Sequence, residues 1–172
     1  MIMGIAEIIS AKLTKPNEKL NWGDALALWD IGKFKIIGLT QIEFFLAQVK
    51  DKDLKTQLEI GVENIIVPHI EKIQKFMHTE GLEVPSVPQR KNLDVIGKNI
   101  EPNSFIQDDE IANSSREIYR LGLNLDMKAL TDSTREDVRG LIWTILNDDY
   151  RAFDIMIKSH QKKNWLIAPP TI

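Results

Sequence analysis

Residues 81–107 form the longest interval of this 172-residue chain without a sustained helical pattern, and they limit the folds open to it. The interval holds three prolines (Pro85, Pro88, Pro102) and two glycines (Gly81, Gly97). On each side lies a pair of long segments with helical spacing, and only a few polar residues separate the members of each pair. Short links join antiparallel neighbours, so each pair reads as a hairpin. A connection of this length reaches easily from one end of a ~40 Å helix to the other.

The first pair spans about residues 21–50 and 53–80, the second about 108–130 and 134–163. Asn21 is an N-cap, with Asp24 in the first turn. Trp22, Leu26, Trp29, Ile36 and Ile37 share one face of the first helix, while Phe34, Ile42, Phe45 and Val49 lie nearly opposite. A helix apolar on most sides either sits deep or presents a second face to a partner. The second helix has the cleanest stripe: Leu54, Leu58, Val62, Ile65, Ile66, Ile73, Phe76 and Met77. Pro68 falls inside it and predicts a kink without a stop, because the pattern resumes in register. Gly81 closes it as a C′ residue. Asp108 or Asp109 opens the third helix, whose stripe (Ile111, Ser114, Ser115, Ile118, Leu121, Gly122, Leu125, Ala129) contains small residues. A turn over Thr131–Thr134, with Glu136 and Asp137 in the first turn, opens the fourth. Two hairpins joined by one long crossover predict an all-α, ferritin-like four-helix bundle in a single domain. Apolar residues within 81–107 predict a strap packed on that bundle. Glu7–Leu13 predicts a short helical turn or ordered arm, and Asn92–Asn99 one weak turn.

The formal net charge of −3 and the lack of a basic cluster speak against nucleic-acid binding. No cysteine is present, which excludes disulfides, thiol catalysis and thiolate metal sites. Met1–Leu13 is partly apolar but lacks a basic n-region and contains Glu7, so no signal peptide is expected. No run approaches the ~20 apolar residues of a membrane span. Cytoplasmic synthesis is the expectation.

The predicted architecture raises the question of a carboxylate-bridged metal pair, which needs Glu-x-x-His on two helices. The three histidines are His69, His78 and His160, and the residues three before them are Ile66, Lys75 and Ile157. The motif is absent at every histidine. His69, in the middle of the stripe, reads as a core histidine bonded to backbone freed by Pro68 or to a facing side chain; its other reading is a lone ligand or base. His78 and His160, near helix ends, read as surface or dipole-compatible groups. Two acids fall on apolar faces, Glu43 and Asp149. Counting 1.5 Å per residue puts them about 12 and 15 Å from the turn between the first two helices, with Ser114 and Ser115 near ~17 Å. His69 comes out near ~27 Å, too far to join them. The favoured reading is a hydrogen-bonded polar layer, one that reaches a Trp indole, or acids at stripe edges touching solvent; the other is a residual carboxylate site for a hard cation or a shared proton. Glycine-rich phosphate loops and G-x-S-x-G are absent. No catalytic, metal-ligating or cofactor-binding residue is assigned, and no cofactor is expected. Of the tryptophans, Trp22 and Trp29 read as packing residues, Trp143 and Trp165 as partner-surface candidates.

Several short segments resemble a family of small spore-coat-type proteins of spore-forming bacilli, similar to spore coat protein F. They are Asn21-Trp22 to Trp29, Asp53-Leu54-Lys55, Gly81-Leu82-Glu83-Val84-Pro85, Asp108 to Asn113, and Asn164-Trp165-Leu166 to Pro169-Pro170. Asn164 departs from the glycine common before the terminal tryptophan. The resemblance implies a ferritin-like bundle without enzymatic activity, associated with the spore coat or its assembly, and it carries over no catalytic residue. The expected function is therefore a structural or interaction protein that self-associates or binds other coat proteins. The alternative is a ferritin-like metal-binding protein or oxidase with a degenerate carboxylate site.

Overall fold

The computed structural model describes residues 19–91, 101–167 and 169–170. The arm expected at Glu7–Leu13 and the turn expected at Asn92–Asn99 lie outside these residues. The helices are α1 (Trp22–Gln48), α2 (Lys52–Gly61), α3 (Val67–Thr79), α4 (Asp108–Asp132) and α5 (Glu136–Lys162). A π-turn over Val62–Ile66 joins α2 to α3, so the two form one continuous rod. The described residues thus make the expected four-rod bundle, with α4 and α5 as the second hairpin.

Local chemistry explains most of the boundaries. The Asn21 side chain accepts from the Asp24 amide at 2.9 Å, and Asp51 accepts from Leu54 in the same way. Gly81 adopts φ +72°, and the Leu82 amide reaches back to the Met77 carbonyl at 3.0 Å, closing α3. The cap of α4 is Gln107, which forms a capping box with Glu110. Asp108 instead accepts from the amides of Lys50 and Asp51 at 2.9 and 3.0 Å, pinning the start of α4 to the end of α1. At the opposite end, the buried Asp24 accepts from the Thr134 amide at 2.9 Å and ties α1 to the α4–α5 turn.

At Pro68, where a kink without a stop is expected, the helix is preceded by the π-turn. A proline ring collides with the carbonyl four residues earlier and removes a donor, and a widened turn just before it relieves both problems. The helix continues through Pro68, as its resumed pattern predicts.

Two apolar clusters fill the bundle. The one nearer the α1–α2 turn contains Leu39, Ile42, Leu46, Leu54, Leu58, Val62 and Ile111. The one nearer the α4–α5 turn contains Leu28, Ile31, Ile73, Met77, Val138, Ile142 and Ile145. The described parts of the strap pack on both. Leu82 and Val84 rest on the second cluster and Ile106 on the first. Pro85 approaches Gly32 closely, and its carbonyl accepts from the Gln74 side chain at 3.1 Å. Gln48 holds the far end, accepting from the Asn103 amide at its carbonyl and the Phe105 amide at its side chain.

Candidate functional site

Between the two apolar clusters lies a polar layer, and all four rods contribute to it. Lys35 comes from α1, His69 from α3, Tyr119 and Asp126 from α4, and Asp149 from α5. Asp126, Asp149 and His69 are each 1 % exposed, and Lys35 is 5 % exposed. Each sits on the inward stripe of its helix. In α4, beyond Ile111, the buried positions run Ala112, Ser115, Tyr119, Gly122, Asp126, Ala129, a seam of alternating three- and four-residue steps.

Lys35 Nζ forms an ion pair with Asp149 Oδ2. His69 lies between two acids: Nδ1 faces Asp149 Oδ1 at 3.4 Å, and Nε2 pairs with Asp148 Oδ2 at 3.2 Å. Asp148 reaches solvent, so the chain Asp148–His69–Asp149 connects the surface to the bundle centre. Burial pushes the Asp149 carboxyl up, but Lys35 and His69 outweigh it and hold the group below the usual carboxylate range. Asp126 goes the other way. Burial, helped by the Asp149 charge and hydrogen bond, raises it to about 8 against the opposing pull of Lys35. The two acids therefore divide the roles, with Asp126 as the carboxylic acid and Asp149 as the carboxylate. With both acids ionised, Asp126 Oδ2 makes no hydrogen bond and Asp149 Oδ1 has only the 3.4 Å approach of His69, so a proton on Asp126 supplies a donor to the layer. Burial and the Asp149 charge also push the Tyr119 phenol up, keeping it neutral. A Cβ on Gly61 would stand 2.8 Å from the Tyr119 hydroxyl, so the glycine is what lets that ring enter. A cavity of about 20 Å³ opens beside the layer among Phe34, Lys35, Gly38, Ile66, Ile118, Tyr119, Gly122 and Asp149. That is room for about one water molecule.

The layer differs from the one expected. Glu43 and Asp149 take different partners. Glu43 is buried, but its oxygens go to the strap: Arg90 Nε at 2.5 Å and Lys91 Nζ at 3.4 Å. Arg90 also reaches Glu63 at 3.1 Å. Ser115 is buried and donates to the Ala112 carbonyl of its own helix at 2.9 Å, so it takes no part. His69, expected to lie too far away, is in the layer. Side chains on a helix lean toward its N-terminus, so His69 and Asp149 on antiparallel rods lean toward each other. The π-turn also shortens the rise down to His69, and α5 starts later than expected, at Glu136.

Three other expectations need correction. His160 is not a surface group: it is fully buried near the end of α5 with both ring nitrogens unpartnered. Burial, followed by the Arg116 charge, lowers it to about 4. Trp22 is 92 % exposed, while Trp29 packs partly on the second cluster. Trp143 is exposed as expected, but Trp165 packs against the first cluster, with Lys163 Nζ 5.1 Å from its ring centre.

Among the described residues no group of three or more histidine, aspartate or glutamate side chains is arranged to hold a metal ion. Nor is any described helix long and apolar enough to cross a membrane.

Known proteins resemble the chain over most of its length. It is 24 % identical over 157 residues to the uncharacterized protein YvdQ of Bacillus subtilis (strain 168), covering 90 % of this chain and 89 % of that one. Its fold matches the crystal structure of a "putative spore coat protein" from Bacillus halodurans C-125, with a TM-score of 0.81 and 21 % identity. That match covers 90 % of this chain and 96 % of the other. A conserved hypothetical protein from Mycobacterium tuberculosis matches with a TM-score of 0.66 and 11 % identity, over 82 % of this chain and 99 % of the other. The family model described as "Protein of unknown function (DUF3231)" matches residues 9–172, and the chain belongs to that family.

Proposed function

We propose that this protein is a non-enzymatic structural or interaction protein of the spore coat or its assembly, acting through self-association or contact with other coat proteins. The observation that carries the reading is where its polar and apolar groups lie. The buried acids near the bundle centre are matched by the chain's own cations, Lys35 for Asp149 and Arg90 with Lys91 for Glu43. Large apolar side chains meanwhile stand outside. On α1, Trp22 is 92 % exposed, and Leu26, Ile37 and Phe44 are about half exposed. At 100° per residue these four fall within about 60° of one another, a ridge along the whole helix. The similarity in fold to the Bacillus halodurans protein supports the coat assignment.

Size-exclusion chromatography with light scattering tests the first half of this reading. The parent chain is expected to run as an oligomer, and Trp22→Ser with Ile37→Ser to run smaller at unchanged helical content. A parent that stays monomeric at every concentration sinks the self-association reading. For the coat assignment, a fluorescent fusion made in a sporulating Bacillus should collect at the forespore surface; diffuse fluorescence throughout sporulation overturns it.

A further inference from the structure

The polar layer holds more than an ion pair. An amine, a carboxyl carbon and a protonated acid meet in a nearly dry place, and they are the components needed to join two side chains. We propose that Lys35 and Asp149 form an intramolecular isopeptide bond between α1 and α5, with Asp126 as the catalytic acid–base.

Four observations carry it. Lys35 Nζ is in direct contact with the Asp149 carboxylate, the nucleophile and electrophile of an amide-forming step. Asp126, 1 % exposed, enters the same layer from a third rod, where the charges of Lys35 and Asp149 both act on it. All three are at least nine-tenths buried, and Asp126 Oδ2 has no hydrogen-bond partner. The cavity beside Lys35 and Asp149 has room for the one water molecule that the reaction releases.

The step balances without any co-reactant. Transfer of one proton from the Lys35 ammonium to Asp149 converts the ion pair to a neutral amine and a carboxylic acid; Lys35 and His69 favour the carboxylate, so this is the minor form through which the step passes. The amine lone pair attacks Asp149 Cγ, forming the N–C bond. Asp126 gives its proton to the departing oxygen and takes one from the nitrogen, so it ends as it began. The C–O bond breaks and water leaves. An ammonium and a carboxylate thus become a secondary amide plus one water, with no change of oxidation state. Amide formation is unfavourable between free groups in water. Here both partners are held in contact by the folded bundle, where effective molarities of about 10⁵–10⁸ M speed the attack, and the water formed can leave to bulk solvent. The raised pKa of Asp126 keeps the acid protonated at neutral pH, which the mechanism requires. His69, on the Oδ1 side of Asp149, lies on the route by which a proton can exchange with Asp148 and the surface.

Intact-mass spectrometry on the purified full chain tests the proposal. The parent is expected to be lighter than its sequence by one water, and a digest to yield a branched peptide joining the Lys35 and Asp149 segments. Lys35→Met and Asp126→Asn are expected at full sequence mass, with circular dichroism reporting that they fold. A parent at full mass after prolonged incubation overturns the proposal, as does a missing water that persists in Lys35→Met. If Asp126→Asn fails to fold, the branched peptide of the parent still decides whether the bond exists, and Asp126→Glu then reads the role of the acid. Restored dehydration supports that role, and a folded Asp126→Glu at full mass with the parent linked overturns it.

Discussion

Glu43 and Asp149 are both acids on apolar helix faces, both nearly inaccessible, and the fold treats them in different ways. Asp149 is neutralised from within the bundle by Lys35, itself 5 % exposed, so both charges have left water. Glu43 is neutralised from outside by Arg90 and Lys91 of the strap, whose side chains remain 42 % and 35 % exposed. The first pair belongs to the helices and is set by their register. The second is a clamp that holds the crossover against α1. A buried acid on a helix stripe therefore does not identify its own role; the location of its cation does.

The largest expected effect comes from breaking the inner pair. Measured against parent chain that has lost no water, Lys35→Met leaves Asp149 ionised in the core with too little compensation, and breaking a buried pair this way costs about 3–5 kcal/mol. Adding Asp149→Leu should recover part of the loss, because no uncompensated charge then remains. Denaturant melts of the two variants check this. A single variant within ~0.5 kcal/mol of the parent would place the pair in water, contrary to its burial.

The second test uses the two groups with strongly shifted pKa values. Asp126 is raised from 3.8 to about 8, so between those values the folded state holds a proton that the unfolded state has lost, and stability falls as pH rises. His160 is lowered from 6.5 to about 4, so across that interval the unfolded state holds the extra proton, and stability rises with pH. The two oppose each other from about pH 4 to 6.5, and only Asp126 acts from about 6.5 to 8. Melts at stepped pH should show stability falling over that upper interval by at most about 1.4 kcal/mol per unit. Asp126→Asn should flatten it. A fall that survives in Asp126→Asn assigns the titration to another group.

Smallest is the outer clamp. Glu43→Gln should cost only about 1–2 kcal/mol, since the released cations can turn to water. Its signature is local: amide exchange should accelerate in residues 84–91 of the strap and little in α5. Equal acceleration in both would erase the distinction between clamp and core pair.

These differences mark where the sequence is informative. Helix ends came within about two residues, because Asn21, Asp51 and Gly81 carry capping chemistry that acts locally. The strap was legible from its apolar residues. The polar layer was harder. Counting residues down each rod gives heights of Cα atoms, whereas His69 and Asp149 meet through side chains leaning toward each other across antiparallel rods. Lys35 and Asp126 were missed although a signal existed. The seam Ala112, Ser115, Tyr119, Gly122, Asp126, Ala129 places Asp126 inward, and following Leu121 and Leu125 instead shifts the stripe by one position and turns Asp126 out. Leu121 is about half exposed. Arg90 lies in irregular chain, where no periodicity reveals a side chain's direction. Trp22 misleads for a different reason: its composition suits a core, but its position at the first turn of α1 leaves it outside.

The buried acids Asp149 and Glu43 are matched by the protein's own cations, Lys35 in the core and Arg90 with Lys91 on the strap. Elemental analysis of the full chain, purified without chelator and then dialysed against iron, manganese or zinc, tests that most directly. The expected result is no stoichiometric metal, with a thermal midpoint that metal addition leaves unchanged. One metal per chain, lost in Asp149→Asn, would contradict the account and return the bundle centre to the metal-binding alternative.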